Sequence, residues 1–210
     1  MRQLYYASMS KGHSLADHFA TEACNNAWAN HRLLKACCAL SQEEFAARRT
    51  SFFPSIKATL NHILTVDWFY LDALERSLAG RPPNEKPGAF FDPEEPFERG
   101  VDLAREQRAA DRRLIAVCAS LTDERLDTKV TVQRRTGPVH DWMRRILAHL
   151  FAHQVHHRGQ AHAMLAGTSV KPPQLDEFYC TGEAHLRAAD FAELGFDEAR
   201  IWGERAKPPR

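Results

Sequence analysis

The sequence predicts an all-α protein in which four long helices form a small bundle. Four long stretches repeat apolar residues with the period of an amphipathic helix, and no alternating stretch of comparable length competes with them. The composition, 44% hydrophobic and 26% charged, is ordinary for a globular protein, and 210 residues suit one large domain. A segment rich in proline, glycine and acids separates the second stretch from the third, which predicts a long crossover loop.

The first predicted helix runs from about Ser14 to Leu40, and Gln42 to Thr50 is predicted as a loop with room for one helical turn. In the second helix, Ser51 is the candidate N-cap and Pro54 fits the first turn. This helix ends at Gly80, because Pro82-Pro83 follows. It is apolar on more than one face, which is typical of a helix buried between several neighbours.

The crossover loop extends from Gly80 to about Pro96, and the third helix from about Pro96 to Leu121. Lys129 to Gln133 alternates and is predicted to pair as a small strand. Gly137-Pro138 is then predicted to open the fourth helix, with Asp141 in its first turn.

The fourth helix is predicted to stop at Gly167, and a short helix follows near Glu183 to Phe191.

Charge and cysteine content exclude several classes. A formal net charge of +1 gives no reason to expect a nucleic-acid or membrane partner, and no apolar run approaches the ~20 residues that span a bilayer. The segment Met1 to Tyr6 lacks the apolar core of a signal peptide. Five cysteines without C-x-x-C spacing do not form a disulfide framework. We therefore expect a cytoplasmic protein with reduced thiols.

Three histidines on the fourth helix carry the functional signal. His149, His153 and His157 recur every four residues, and each such step rotates only about 40° on a helix, so the imidazoles share one side. Two histidines spaced i, i+4 can bind one metal ion from adjacent turns. His149 lies further round the helix and is assigned a supporting role.

A third ligand must come from another helix. His62 is the best candidate, because it lies in the middle of the second helix among apolar residues. Three neutral imidazoles leave coordination positions open, which is typical of a catalytic site. A hydrogen-bonded core histidine is the alternative for any one of these residues.

Neither a zinc-protease nor a di-iron motif accounts for these histidines. Gln154 stands where the H-E-x-x-H motif of zinc proteases has its glutamate. The Glu-x-x-His pairs of di-iron bundles are missing from the helices.

Two further residues are weak catalytic candidates. Asp67 lies five residues after His62 in an apolar stripe, where a lone carboxylate is costly, and it is the proton acceptor that a hydrolase would need. Gln160 lies on the histidine side of its helix and is positioned to orient a ligand. Arg158 is expected to anchor the helix through a carboxylate.

Three motifs resemble the DinB/YfiT family of metal-dependent proteins. His153-Gln154-Val155-His156-His157-Arg158-Gly159-Gln160 resembles its H-x-x-x-H-R-G-Q signature. Leu60-Asn61-His62-Ile63-Leu64, followed by Asp67-Trp68, resembles the second-helix motif, and Asn26 to Leu33 is similar to the first-helix pattern. The resemblance covers about Ser14 to Gly167.

The resemblance implies a four-helix bundle, often dimeric, which we place at residues 1–170. Residues 171–210 have no counterpart in the resemblance and are predicted to be a C-terminal extension that packs on the bundle or trails from it. Carried over by position, the ligands of a divalent zinc, nickel or iron ion are His62, His153 and His157. Family members include thiol-dependent transferases and isomerases that use mycothiol, bacillithiol or glutathione. Three functions follow as hypotheses: a transferase acting with a low-molecular-weight thiol and a small electrophile, a metal-dependent hydrolase, and a non-catalytic metal-binding homodimer.

Overall fold

The computed structural model describes residues 14–203 and is mostly helical, which confirms the predicted class. Met1 to Tyr6, where no signal peptide was predicted, lies outside the described residues. The four long helices are α1 (Leu15–Cys37), α3 (Ile56–Leu78), α4 (Gly100–Ala119) and α6 (Met143–Leu165). Four short helices are α2 (Gln42–Ala46), α5 (Asp123–Leu126), α7 (Ala184–Leu194) and α8 (Glu198–Trp202), and β1 (Lys129–Arg134) pairs with β2 (Gly137–Trp142).

The long helices pack around one apolar core. Helices α1 and α3 each contact both α4 and α6, and the segment from Ala79 to Arg99 joins α3 to its neighbour α4. Each long helix contributes fully buried leucines, and burial of one such side chain stabilises the fold by roughly 1.5–3 kcal/mol. They include Leu33, Leu64, Leu71, Leu74, Leu103, Leu114, Leu147 and Leu150. Within residues 14–203, no helix is long and apolar enough to cross a bilayer.

The start of α3 differs from the prediction. The helix is capped by Ser55, whose hydroxyl accepts a hydrogen bond from the backbone N–H of Ala58, and not by Ser51. Pro54 therefore precedes the cap and lies outside the first turn. Ser55 stands immediately before the apolar repeat, where it satisfies an otherwise unpaired helical N–H. The phenylalanines before it, Phe52 and Phe53, are left in the loop that leads into the helix.

The start of α6 was also predicted wrongly. Gly137-Pro138 begins strand β2, Asp141 lies in that strand, and the helix begins only at Met143. Gly137 has a φ of +116°, a conformation that favours glycine and that makes the tight turn between the strands. Val130 and Val132 of β1 are buried, so the alternating segment forms a hairpin that covers the core.

Residues beyond the long helices pack against α1. Phe178, Phe191 and Ile201 form a second apolar cluster with Trp28 of α1. Arg32 of α1 donates hydrogen bonds to carboxylates and carbonyls of this segment, namely Asp190, Glu177, Gln174 and Leu186. All five cysteines, which are Cys24, Cys37, Cys38, Cys118 and Cys180, are free thiols, as the sequence predicted.

A buried polar network links the four long helices at mid-height. Arg158 of α6 donates hydrogen bonds to the amide oxygens of Asn26 and Asn30 on α1. The amide of Asn30 donates in turn to Asp111 of α4, over 2.8 Å. Gln107 of α4 donates to Asp111 and, over 2.6 Å, to Asp67 of α3.

Gln154 of α6 closes the network by donating to Asp67. Seven buried side chains on four helices thus form one hydrogen-bonded network, in which Oε1 of Gln107 has no partner within residues 14–203. The network fixes the rotation of α6 relative to its neighbours.

The network contains two carboxyl groups and one guanidinium group. Burial raises the pKa of Asp111 to about 7, and burial together with the nearby Asp111 carboxylate raises the pKa of Asp67 to about 7. Burial lowers the pKa of Arg158 to about 10, so its guanidinium stays charged at neutral pH. One shared proton makes the cluster of two carboxyl groups and one guanidinium neutral, and this is the least costly state in a low-dielectric interior.

We predict that Asp111→Asn changes how stability depends on pH. The folded-state pKa of Asp111 lies above its ordinary value of 3.8, so the folded state holds the proton more tightly. The wild-type contribution of this group is complete below about pH 4 and is lost as the pH rises through about 7, by at most about 1.4 kcal/mol per pH unit. Asparagine keeps the acceptor oxygen and does not ionise.

Denaturant unfolding of both proteins between pH 5 and 8 checks this prediction. The wild type should lose stability relative to Asp111→Asn as the pH increases. Asp102→Asn, which changes a solvent-accessible carboxylate of the same helix, is the matched control. A constant difference between wild type and Asp111→Asn across this range would contradict the assignment.

Candidate metal centre

Three histidines from two helices converge at the edge of the core. Helix α3 carries His62, and α6 carries His153 and His157 one turn apart. The Nε2 atoms of His62 and His153 are 3.1 Å apart, and the ligand atoms of all three residues lie within 4.8 Å of one another. His62 and His153 are half-buried and His157 is buried. The structure therefore brings together the three residues that the sequence singled out.

The spacing of the His62 and His153 nitrogens fits one metal ion. Two nitrogens bound to one ion at about 2.0–2.1 Å lie about 2.9 Å apart at a right angle and about 3.4 Å apart at a tetrahedral angle. The 3.1 Å between His62 and His153 falls inside that interval. Imidazole nitrogens suit divalent zinc, nickel, iron and copper. The donor set and its spacing thus fit a divalent transition metal.

The three imidazoles are neutral at physiological pH. Burial, reinforced by repulsion from His157, lowers the pKa of His62 to about 4 and that of His153 to about 3. Burial also lowers the pKa of His157. A metal binds the unprotonated nitrogen, so these shifts keep the lone pairs available.

Gln160 orients one of the three rings. Its Oε1 lies 2.8 Å from Nδ1 of His157, and its amide nitrogen lies 3.0 Å from Nε2 of His156. The amide oxygen can only accept a hydrogen bond, so His157 carries its proton on Nδ1. Its unprotonated Nε2 is then available to bind a metal. The buried Nδ1 of His153 has no hydrogen-bond partner within residues 14–203. A hydrogen bond from the ring nitrogen Nδ1 therefore orients His157, whereas His153 has no such bond within residues 14–203.

Aromatic rings line one side of the histidine cluster. The ring of Phe53 lies 4.3 Å from that of His62 and 5.5 Å from that of His157, between centroids. Phe52 lies 6.2 Å from His157 and is 77% exposed.

On another side, exposed His149 lies 6.4 Å from His153 and packs edge-on against Tyr70, whose hydroxyl accepts a hydrogen bond from Arg134. His149 thus lies beside the convergent group without being one of its members.

Asp67 points into the polar network. Its two carboxylate oxygens accept hydrogen bonds from Gln107 and Gln154, and the side chain is fully buried. In the described part of the chain, no carboxylate forms a hydrogen bond or ion pair with the three histidines. Arg158 was expected to bind a carboxylate, and it instead hydrogen-bonds Asn26 and Asn30, with Asp67 and Asp111 close enough to act on it electrostatically.

Sequence patterns did not identify the two phenylalanines or most members of the polar network as parts of the site. Placing the helix start at Ser51 put Phe52 and Phe53 inside the helix, whereas the recognition of Ser55 as the cap would have placed them in a loop next to His62. Asp111 carried a readable signal, because it is an acid between the apolar residues Ala110 and Leu114 on one helix face. Its partners on α1 depend on packing that periodicity does not specify.

Comparison with known proteins assigns the family. No curated protein gives a significant match to the chain. The sequence profile of the DinB family matches residues 15–185, which include all four long helices, the three convergent histidines and the first residues of the C-terminal segment. The matched region extends beyond Gly167, where the motifs end, and covers most of the 210 residues. The chain therefore belongs to the DinB family.

Proposed function

We propose that this protein binds one divalent metal ion through His62, His153 and His157 and transfers a low-molecular-weight thiol to a small electrophile. One observation carries the proposal: three neutral imidazoles converge, and no carboxylate shares the site within the described residues. The proposal also takes the long helices α1, α3, α4 and α6 to be the four-helix bundle of the family.

The donor set favours chemistry that starts from a thiol. A divalent ion held by neutral ligands keeps its full positive charge, and when bound it lowers the pKa of a thiol to near neutral. The protein then needs only to hold the rings in place and to shield one side of the site. Gln160 holds the ring of His157, and Phe53 shields His62 and His157.

The transfer step balances without a further reagent. A sulfur–carbon bond forms, the leaving group departs with the bonding electrons, and the thiol proton passes to solvent.

Hydrolysis is the second candidate, and the placement of Asp67 makes it the weaker one. Water attack benefits from a general base within hydrogen-bond reach of the nucleophile. Both oxygens of Asp67 are occupied by Gln107 and Gln154. Within residues 14–203, the other imidazoles in contact with the three histidines are those of His149 and His156, so a hydrolase built from these residues would have to work without a carboxylate.

We predict one divalent ion per chain, bound by the three histidines. His62→Gln or His153→Gln should lower metal affinity more than about 100-fold, because loss of a supporting partner alone costs 10–100-fold. His149→Gln, which removes the neighbouring histidine at the same four-residue spacing, should keep the wild-type affinity. Elemental analysis of protein purified without an affinity tag and competition with a chelating dye measure both quantities. Equal metal content in His62→Gln and wild type would contradict the assignment.

We predict that Gln160→Met lowers metal affinity about 10–100-fold, because it removes the acceptor that fixes the tautomer and orientation of His157. Gln160→Glu retains an acceptor oxygen and should bind metal at least as well as wild type. The visible spectrum of the Co²⁺-loaded proteins reports ligand geometry and should change only in the methionine variant. Identical spectra and affinities for the two variants would show that Gln160 does not position the ring.

We predict that the metal-loaded protein accelerates the reaction of monochlorobimane with at least one of mycothiol, bacillithiol and glutathione. His153→Gln should abolish the acceleration. Asp67→Asn should leave the rate per folded protein unchanged, because Asp67 faces the polar network. Fluorescence of the bimane–thiol product measures the rate, and circular dichroism checks folding of each variant. No acceleration with any of the three thiols would count against a thiol transferase.

A further inference from the structure

We propose that Phe52 and Phe53 form an aromatic corner that binds an aryl or arylalkyl group of the substrate beside the metal centre. The inference rests on the proposed function and extends it by naming a substrate class. Low-molecular-weight thiols of cells are hydrophilic, so we assign the aromatic group to the electrophile.

The two rings are placed directly against the convergent histidines. Phe53 covers His62 and reaches His157, with centroid distances of 4.3 and 5.5 Å. Phe52 meets Phe53 edge-to-face, with centroids 5.0 Å apart and planes at 82°, and its ring lies 6.2 Å from His157. The two rings meet at nearly a right angle and together present one apolar surface. A third ring can contact one of them face-on and the other at its edge, an arrangement that aromatic groups favour.

Phe52 is the most exposed large hydrophobic residue that the structure describes. The residue is 77% exposed, whereas Val155, on α6, is 60% exposed and lies far round that helix from the histidines. A single exposed apolar residue needs no explanation, but this one lies next to the group that can hold a metal. An apolar group delivered there buries the ring and itself from water, which is favourable.

The loop that carries the rings is held at both ends. The backbone N–H of Arg49 donates to the carbonyl of Pro54 over 2.8 Å, which closes the loop around Phe52 and Phe53. The Arg49 guanidinium donates to the carbonyls of Glu44 and Ala47, and buried Ser55 caps α3 immediately after the loop. The backbone that carries the aromatic corner is therefore preorganised, so little backbone ordering entropy opposes binding.

Two thiols test the corner without turnover. Ethanethiol and 2-phenylethanethiol present the same metal-binding sulfur, and only the second carries a ring. Titrating each into the Co²⁺-loaded protein and following the visible absorption gives two dissociation constants. The wild type should bind 2-phenylethanethiol at least about 10-fold more tightly than ethanethiol, because ring contacts and apolar burial add to the sulfur interaction.

The variants separate the corner from general effects. Phe52→Ala should bring the two dissociation constants within about 3-fold of each other, while Phe52→Leu retains apolar surface and most of the preference. Val155→Ala, which removes apolar surface elsewhere on α6, should preserve the wild-type ratio. Phe52 is too exposed to support the core, and circular dichroism verifies folding.

The outcomes are distinguishable. If both thiols perturb the Co²⁺ spectrum of the wild type with equal affinity, the proposal that the aromatic corner binds the substrate is overturned. The metal-dependent function remains supported in that case. If neither thiol perturbs the spectrum, the proposed function fails and this inference fails with it. Sedimentation in which Phe52→Ala alone dissociates a dimer, with the thiol preference unchanged, would show that a second copy of the chain covers the ring and would also overturn the proposal.

Discussion

The structure depends on how α6 is rotated about its axis. Two pairs of side chains spaced four residues apart lie next to each other on this helix, and one pair is displaced from the other by about 100°. Gln154 and Arg158 enter the interior, where Gln154 donates to Asp67 of α3 and Arg158 donates to Asn26 and Asn30 of α1. His153 and His157 therefore face His62 of α3 at the edge of the core. The polar pair fixes the direction in which the histidine pair points.

Helical periodicity was sufficient to predict the class of the fold and the pairing of His153 with His157. Apolar residues such as Ile63 and Leu64 recur at helical spacing on all four long helices. The i, i+4 spacing of His153 and His157 places both side chains on one face of their helix. The choice of His62 needed the further assumption that its helix packs against the fourth, and the contact between α3 and α6 supplies it.

The element boundaries could not be predicted as well, because competing local signals were present. Proline and glycine at 137–138 are as compatible with a hairpin turn as with a helix start, and the pairing of Val130 with Asp141 decides between them. Ser51 and Ser55 are both acceptable caps, and only Ser55 has the hydrogen-bond geometry. The contacts among Asn26, Gln107 and Asp111 depend on three-dimensional packing. Sequence spacing within one helix carries no information about them.

The polar network also bears on what a metal would contribute. A structural metal is needed where the protein has too few other interactions to hold its elements together, as in small zinc domains. Here α6 is already joined to α1 and α3 by charged and amide groups and by buried leucines. The histidines lie at the edge of that core, where two of the three are half-buried. None of them has a carboxylate partner within residues 14–203. Under the proposed function, three histidines that the fold does not need for cohesion, placed beside an exposed aromatic ring, are expected to serve chemistry rather than stability.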